Sequence, residues 1–140
     1  IKFYNEHELK NVLYDRLPVW AENALKTGET SWWGFEDESW IDIFPDWIDF
    51  HWKTVPVEIS AHFMTNMKQP DTREKQLKDP RRNVKYLENK DHQFTANQVV
   101  LGDYILYIMT SEKPYYMIEI NDRVMAHNFR EVFKMLWNKI

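Results

Sequence analysis

The close of the chain, VVLGDYILYIMTSEKPYYMIEINDRVMAHNFREVFKMLWNKI, leaves few folds open. Residues 98–101 and 104–109 are mostly apolar and rich in β-branched and aromatic side chains. They flank Gly102-Asp103, a pair that turns hairpins. Residues 115–120 read as a further strand. Asn121 or Asp122 can cap a last helix, in which Val124, Phe129, Val132, Phe133, Leu136 and Trp137 predict a buried stripe. Strands that end in an amphipathic helix call for a sheet with a helix packed on it.

Upstream, helix and strand patterns alternate. Leu9, Val12, Leu13, Leu17 and Trp20 recur at helical spacing over residues 6–26, with Asn5 as cap and Gly28 as stop. Pro18 inside this run predicts a kink or a break. Residues 30–35 read as a short aromatic strand that enters the acidic turn Glu36-Asp37-Glu38. Residues 38–53 read as helical, with Pro45 opening a second segment. Residues 55–64 alternate as a buried strand, with Val57 inward. A short charged helix is expected over 71–77 and a brief strand over 83–87. The early alternation implies an α/β fold with a mixed, mostly parallel sheet and flanking helices, to which the late hairpins add antiparallel strands.

Composition removes several classes of function. With 140 residues and no repeat or linker, residues 1–140 are expected to form one domain. There is no cysteine, so disulfides, thiolate metal sites and cysteine catalysis are excluded, and a cytoplasmic location is expected. Three glycines cannot build a phosphate-cradling loop. No apolar run is long enough to span a membrane, and no signal segment opens the chain. The net charge of −4 gives no bulk attraction to nucleic acid. The basic stretch around Arg81-Arg82, with Lys78 and Lys85, alternates with acids and reads as a solvated face.

Two stretches carry a resemblance. IKFYNEHELKNVLYDRL and GDYILYIMTSEKPYYMIEINDRVMAHNFREVFKMLWNKI resemble the opening and the final block of the phospholipase-D-like domain of TrmB-type transcriptional regulators. In that block a strand, a second strand with an Ile-Glu-Ile run and a helix with Phe-x-x-x-Phe-x-x-x-Trp spacing follow in order. Phe129, Phe133 and Trp137 match that spacing. DFHWKTVPVEISAHFMT corresponds loosely to the middle of the family pattern. The resemblance implies a phospholipase-D-like half, with Ile1, Lys2 and Phe3 joining the sheet. It also implies a non-catalytic sensor or dimerisation domain, a homodimer, and DNA contact only through a winged helix upstream. A chain that begins at Ile1 rather than Met fits an excised piece.

SWWGFEDESW is the strongest candidate for binding. Trp32, Trp33, Phe35 and Trp40 beside Glu36 and Asp37 could cage a cation or stack on a planar or sugar effector. Alternatively, these aromatics fill the core and the acids favour the start of the next helix. Trp47, Phe50 and Trp52 could line the same pocket.

His51, Lys53 and Glu58 stand at the spacing of a phospholipase D signature, His-x-Lys and then an acid, with Glu in place of Asp. That chemistry needs His51 as nucleophile, Lys53 to steady the phosphate charge and a second copy of the motif from a partner. A dimeric phosphodiesterase or nuclease is therefore one alternative, and a module that binds only protein is another. The five histidines form no metal-binding pair at helical spacing, so neither a metal nor a cofactor is expected.

Overall fold

Asn5 starts the first helix with a reciprocal cap. Its side chain accepts from the backbone N–H of Glu8 at 3.0 Å, and the Glu8 carboxylate accepts from the N–H of Asn5 at 3.1 Å. The helix, α1 (Glu6–Thr27), ends at Gly28, whose φ of +81° gives the left-handed stop. It runs through Pro18 without the expected break. Pro18 is exposed, so its ring faces solvent rather than the sheet.

The computed structural model describes residues 1–66, 79–87 and 93–140. β1 (Lys2–Tyr4) precedes α1. After α1 come β2 (Ser31–Glu36), α2 (Glu38–Ile43), α3 (Pro45–Thr54) and β3 (Ser60–Thr65). β4 (Arg82–Tyr86), β5 (Asn97–Leu101), β6 (Tyr104–Met109), β7 (Tyr116–Asn121) and α4 (Arg123–Lys139) complete the described elements. The charged helix expected over 71–77 lies outside the described residues.

One seven-stranded sheet has the order β1-β7-β6-β5-β2-β3-β4. This is an α/β fold, but the expected preponderance of parallel pairing is wrong. β2 with β3 and β3 with β4 are parallel; the other four neighbouring pairs are antiparallel. The cause is connection length. β5, β6 and β7 are joined by turns too short for a crossover, and β1 returns to pair with β7. The strand expected over 55–64 starts only at Ser60. Pro56 and the turn after it hold Val57 in solvent, 80% exposed.

Helices cover both faces of the sheet. Leu9, Leu13, Leu17 and Trp20 of α1 join Trp40 and Ile41 of α2 and Trp47 and Ile48 of α3. They pack on Trp32, Ala61, Leu106, Ile108 and Met117 from the strands. On the opposite face α4 covers Phe35, Met64, Val100 and Ile105 with Ala126 and Phe133.

The buried side of α4 is rotated from the expected stripe. Ala126, Arg130 and Phe133 are buried, while Val124, Phe129, Val132 and Leu136 are exposed. Arg130 reaches the sheet because its guanidinium donates to the carbonyl of Gly102 and pairs with Glu29 at 3.4 Å.

A buried carboxylate ties α1 to the sheet. Glu119 at the centre of β7 accepts from Trp20 Nε1 at 2.6 Å, Arg16 Nη2 at 3.0 Å, Arg16 Nε at 3.1 Å and the Tyr4 hydroxyl at 3.1 Å. Replacing it with Leu strands those donors. Glu119→Leu should cost roughly 3 kcal/mol in denaturant unfolding, and Glu119→Gln less than half of that. Equal losses for the two variants would show that Glu119 acts by volume rather than by hydrogen bonding.

Candidate functional site

β2 alternates, and that alternation decides which aromatics meet. Trp32 and Glu36 face α2 and α3; Trp33 and Phe35 face α4. α2 begins at Glu38 and α3 begins at Pro45, which takes a first-turn position suited to proline. The two helices bring Trp40, Trp47, Ile48, His51 and Trp52 over the sheet opposite Trp32.

A cleft lies between them. It is partly open, and the space between its walls is about 490 Å³ with the open solvent at its mouth included. Four tryptophans, Trp32, Trp40, Trp47 and Trp52, line it. Its sheet side is Phe63, Val99, Leu106 and Ile108, with Glu36, Arg82 and Asn97 as polar neighbours.

The polar groups in this wall are mostly engaged. Glu36 and Arg82 form an ion pair with both side chains about 95% buried. Asn97 accepts from the backbone N–H of Asp37 at 2.6 Å and donates to the carbonyl of Ile108 at 3.4 Å.

Trp32 Nε1 donates to His51 Nε2 at 3.0 Å, so that nitrogen carries no proton and the ring is the neutral Nδ1–H tautomer. Burial pushes the His51 imidazole down to about 3; nearby Arg81 adds to the shift and Asp79 opposes it. The indole N–H of Trp47 differs. It is buried and has no hydrogen-bond acceptor among the described residues.

The basic pair expected on a solvated face is structural. Arg82 reaches into the cleft wall. Arg81 closes the end of α3: it donates to the carbonyls of Trp52 and Pro56, pairs with Asp79 at 3.0 Å, and lies 5.1 Å from the Trp52 ring. Arg81 satisfies carbonyls at and beyond a helix end and Arg82 a buried carboxylate, which a charge pattern in sequence does not reveal.

Of the six residues singled out for binding, Trp32, Glu36 and Trp40 share the cleft. Trp33 lies on the other face, stacked on His62 at 4.2 Å with Trp137 edge-on at 5.9 Å. Phe35 is in the α4 core, 5.3 Å from Phe133 and stacked on Phe94. Asp37 takes the cap position of α2, where it accepts from the Ser39 hydroxyl. Trp47 and Trp52 line the cleft as well, whereas Phe50 packs against Tyr14 at 4.9 Å.

His51, Lys53 and Glu58 are not brought together. All phosphodiester chemistry through them would need one face, yet a helix turns Lys53 about 200° from His51. His51 points into the cleft, Lys53 is exposed and pairs with Asp49 at 2.8 Å, and Glu58 is exposed beyond the helix end.

Among the described residues no group of three or more His, Asp or Glu side chains is placed to hold a metal ion. None of their helices is long and apolar enough to cross a membrane. No protein-family model, curated protein or solved structure matches the chain.

Proposed function

We propose that this chain is a non-catalytic domain that senses a small molecule and pairs with a second copy of itself, as a phospholipase-D-like half of a TrmB-like transcriptional regulator would. The observation that carries the sensing role is the cleft. Four indoles around one partly open, largely apolar space are what a small-molecule site requires.

The engagement of its polar groups favours binding over chemistry. The Nε2 lone pair of His51 already accepts the Trp32 proton, so it is not free to attack phosphorus. The resemblance is supported by the Ile118-Glu119-Ile120 run on β7 and by an α4 that carries Phe129, Phe133 and Trp137. In a regulator, such a domain acts by holding one of two arrangements of attached DNA-binding units when an effector fills the cleft.

Thermal melting with a panel of cytoplasmic metabolites tests the sensing role. A saturable rise of several degrees for one chemical class is expected. Hydrolysis of bis-p-nitrophenyl phosphate that disappears in a His51→Ala variant would replace this reading with the phosphodiesterase one. A protein-only interaction module would show no shift with any metabolite.

Pairing rests on α4. Met125, Phe129, Val132, Leu136 and Ile140 fall at steps of four, three, four and four and are all exposed, beside Val124 and Met135. Together these seven form an apolar face on one side of α4, the kind of exposed patch that marks an interaction surface. A twofold axis near Val132 lets the same stripe meet itself, with Phe129 of one copy against Leu136 of the other.

Val132→Glu should therefore convert a dimer to a monomer in light scattering. The melting of the monomer itself should be preserved, because Val132 is already exposed. A wild-type chain that stays monomeric at 100-fold range of concentration would end the pairing proposal.

A further inference from the structure

We propose that the cleft selects a small, uncharged, largely apolar ring compound that carries one hydrogen-bond acceptor, such as an aryl carbonyl, and that Trp47 donates to that acceptor. This deepens the sensing role above and rests on it.

The argument starts from what the wall has left to offer. A cation held by aromatic faces would also seek a carboxylate. The carboxylate here is Glu36, and it is already paired with Arg82 inside the protein. An anion would seek Arg82 and must compete with Glu36 in the same way. Either charge would have to compete with a buried ion pair already formed, which is costly.

A sugar fails for a different reason. Each of its hydroxyls needs a partner once it leaves water. The wall is mainly Trp32, Trp40, Trp52, Phe63, Leu106 and Ile108, and its His51 Nε2 and Asn97 amide are engaged. Most sugar hydroxyls would be stranded.

An apolar ring loses nothing by entering such a wall, and indole faces stack on it. What the wall asks for is an acceptor. Trp47 is 93% buried, lines the cleft, and its Nε1–H has no acceptor among the described residues. A buried donor without a partner costs stability, so a ligand carbonyl that supplies one is favoured over a ligand of equal shape that does not.

A matched set of one-ring probes tests this with the full chain. Acetophenone is neutral and carries one acceptor. α-Methylstyrene has nearly its shape and no acceptor. Benzoate and benzylammonium carry opposite charges, and glucose stands for the sugars. Binding is followed by the indole N–H resonances of the seven tryptophans in ¹H–¹⁵N spectra.

Acetophenone is expected to bind roughly five- to tenfold more tightly than α-methylstyrene, and to move the Trp47 indole proton downfield where α-methylstyrene does not. In Trp47→Phe the two neutral probes should bind alike. The wild-type indole shift stands as a test even where that variant folds poorly.

Tighter binding of benzoate, benzylammonium or glucose would overturn the selection of a neutral acceptor and leave the cleft a ligand site. Equal binding of the two neutral probes to the wild-type chain would overturn the role of Trp47. No perturbation by any probe at millimolar concentration would remove the sensing role itself.

Discussion

Gly34→Ala should cost the chain roughly 4 kcal/mol and lower its melting temperature by on the order of ten degrees or more. Gly34 sits in β2, between β5 and β3, opposite Val99 and Phe63. Its φ of +148° belongs to a region that L side chains rarely adopt. A methyl group there would overlap the carbonyl oxygen of Gln98 and lie 2.9 Å from the Gln98 carbonyl carbon and from Val99 Cα.

Those are backbone atoms of a central strand. They cannot swing aside as the tip of a side chain can. Backbone strain of about 1–3 kcal/mol and overpacking of about the same size add to roughly 4 kcal/mol. That is a large share of the roughly 5–15 kcal/mol that holds a typical domain folded.

Gly28 is the control. Its φ is also positive, at +81°, but a methyl group there would meet nothing within 4 Å. Gly28→Ala should cost only about 1 kcal/mol. Circular dichroism melts of the two variants check the contrast. A Gly34→Ala protein that melts within a few degrees of wild type would mean that β2 and β5 are not packed as described.

Trp32 and Glu36 are on the same strand as Gly34, so the site depends on the same geometry. This is a feature that the sequence displays and pattern reading passes over. A glycine among Trp33 and Phe35 weakens a strand by propensity, yet here it marks a close approach between two backbones.

The legible parts of the fold are those that local physics decides. The caps at Asn5 and Asp122, the stop at Gly28 and the turn at Gly102-Asp103 follow from side-chain chemistry within a few residues. The split of helix 38–53 at Pro45 follows in the same way.

Strand direction is less legible. Parallel pairing of β2 with β3 follows from the helices between them, but the return of β1 to β7 joins residues more than a hundred positions apart. The rotation of α4 has a similar origin. Val124 and Val132 look like core by hydropathy, and Arg130 does not. Arg130 is buried because Gly102 and Glu29 lie beneath it.

At the site, the dense aromatics of 32–40 signalled a pocket, but period-two alternation divides them between two faces of the sheet. Applying that period to β2 separates Trp33 and Phe35 from Trp32. Nothing local to Arg82 pairs it with Glu36, because that contact needs β4 brought beside β3.

His51 yields the second large effect. Its imidazole is held near 3 in the folded chain, against 6.5 when exposed. Between those values the unfolded chain binds a proton there that the folded chain refuses. Stability is therefore fully present above about pH 6.5 and is lost as pH falls towards 3.

The whole depression corresponds to roughly 4–5 kcal/mol at about 1.4 kcal/mol per unit. His62 adds loss of the same sign, since burial and then Lys134 and Lys85 lower it too. Asp79, held down chiefly by its hydrogen bond to Arg81, gives up its contribution only as the carboxylate range is reached.

His51→Gln isolates the buried imidazole. The Gln oxygen can accept from Trp32 Nε1 and takes no proton at any of these pH values. Urea midpoints at pH 7.5, 6.5, 5.5 and 4.5 give the measurement. The wild-type chain should lose about 1 kcal/mol per unit below pH 6.5, and the variant should lose less than half of that.

His62→Gln, by contrast, should retain most of the slope, because His62 is half-exposed and its partners Ser31 and Trp33 lie on the other face. Parallel slopes for wild type and His51→Gln would mean that water reaches the His51 ring in the folded state. Water at that ring would show that the four indoles around the cleft do not keep solvent from His51, so the titration tests the dryness of the cleft wall at a buried polar side chain.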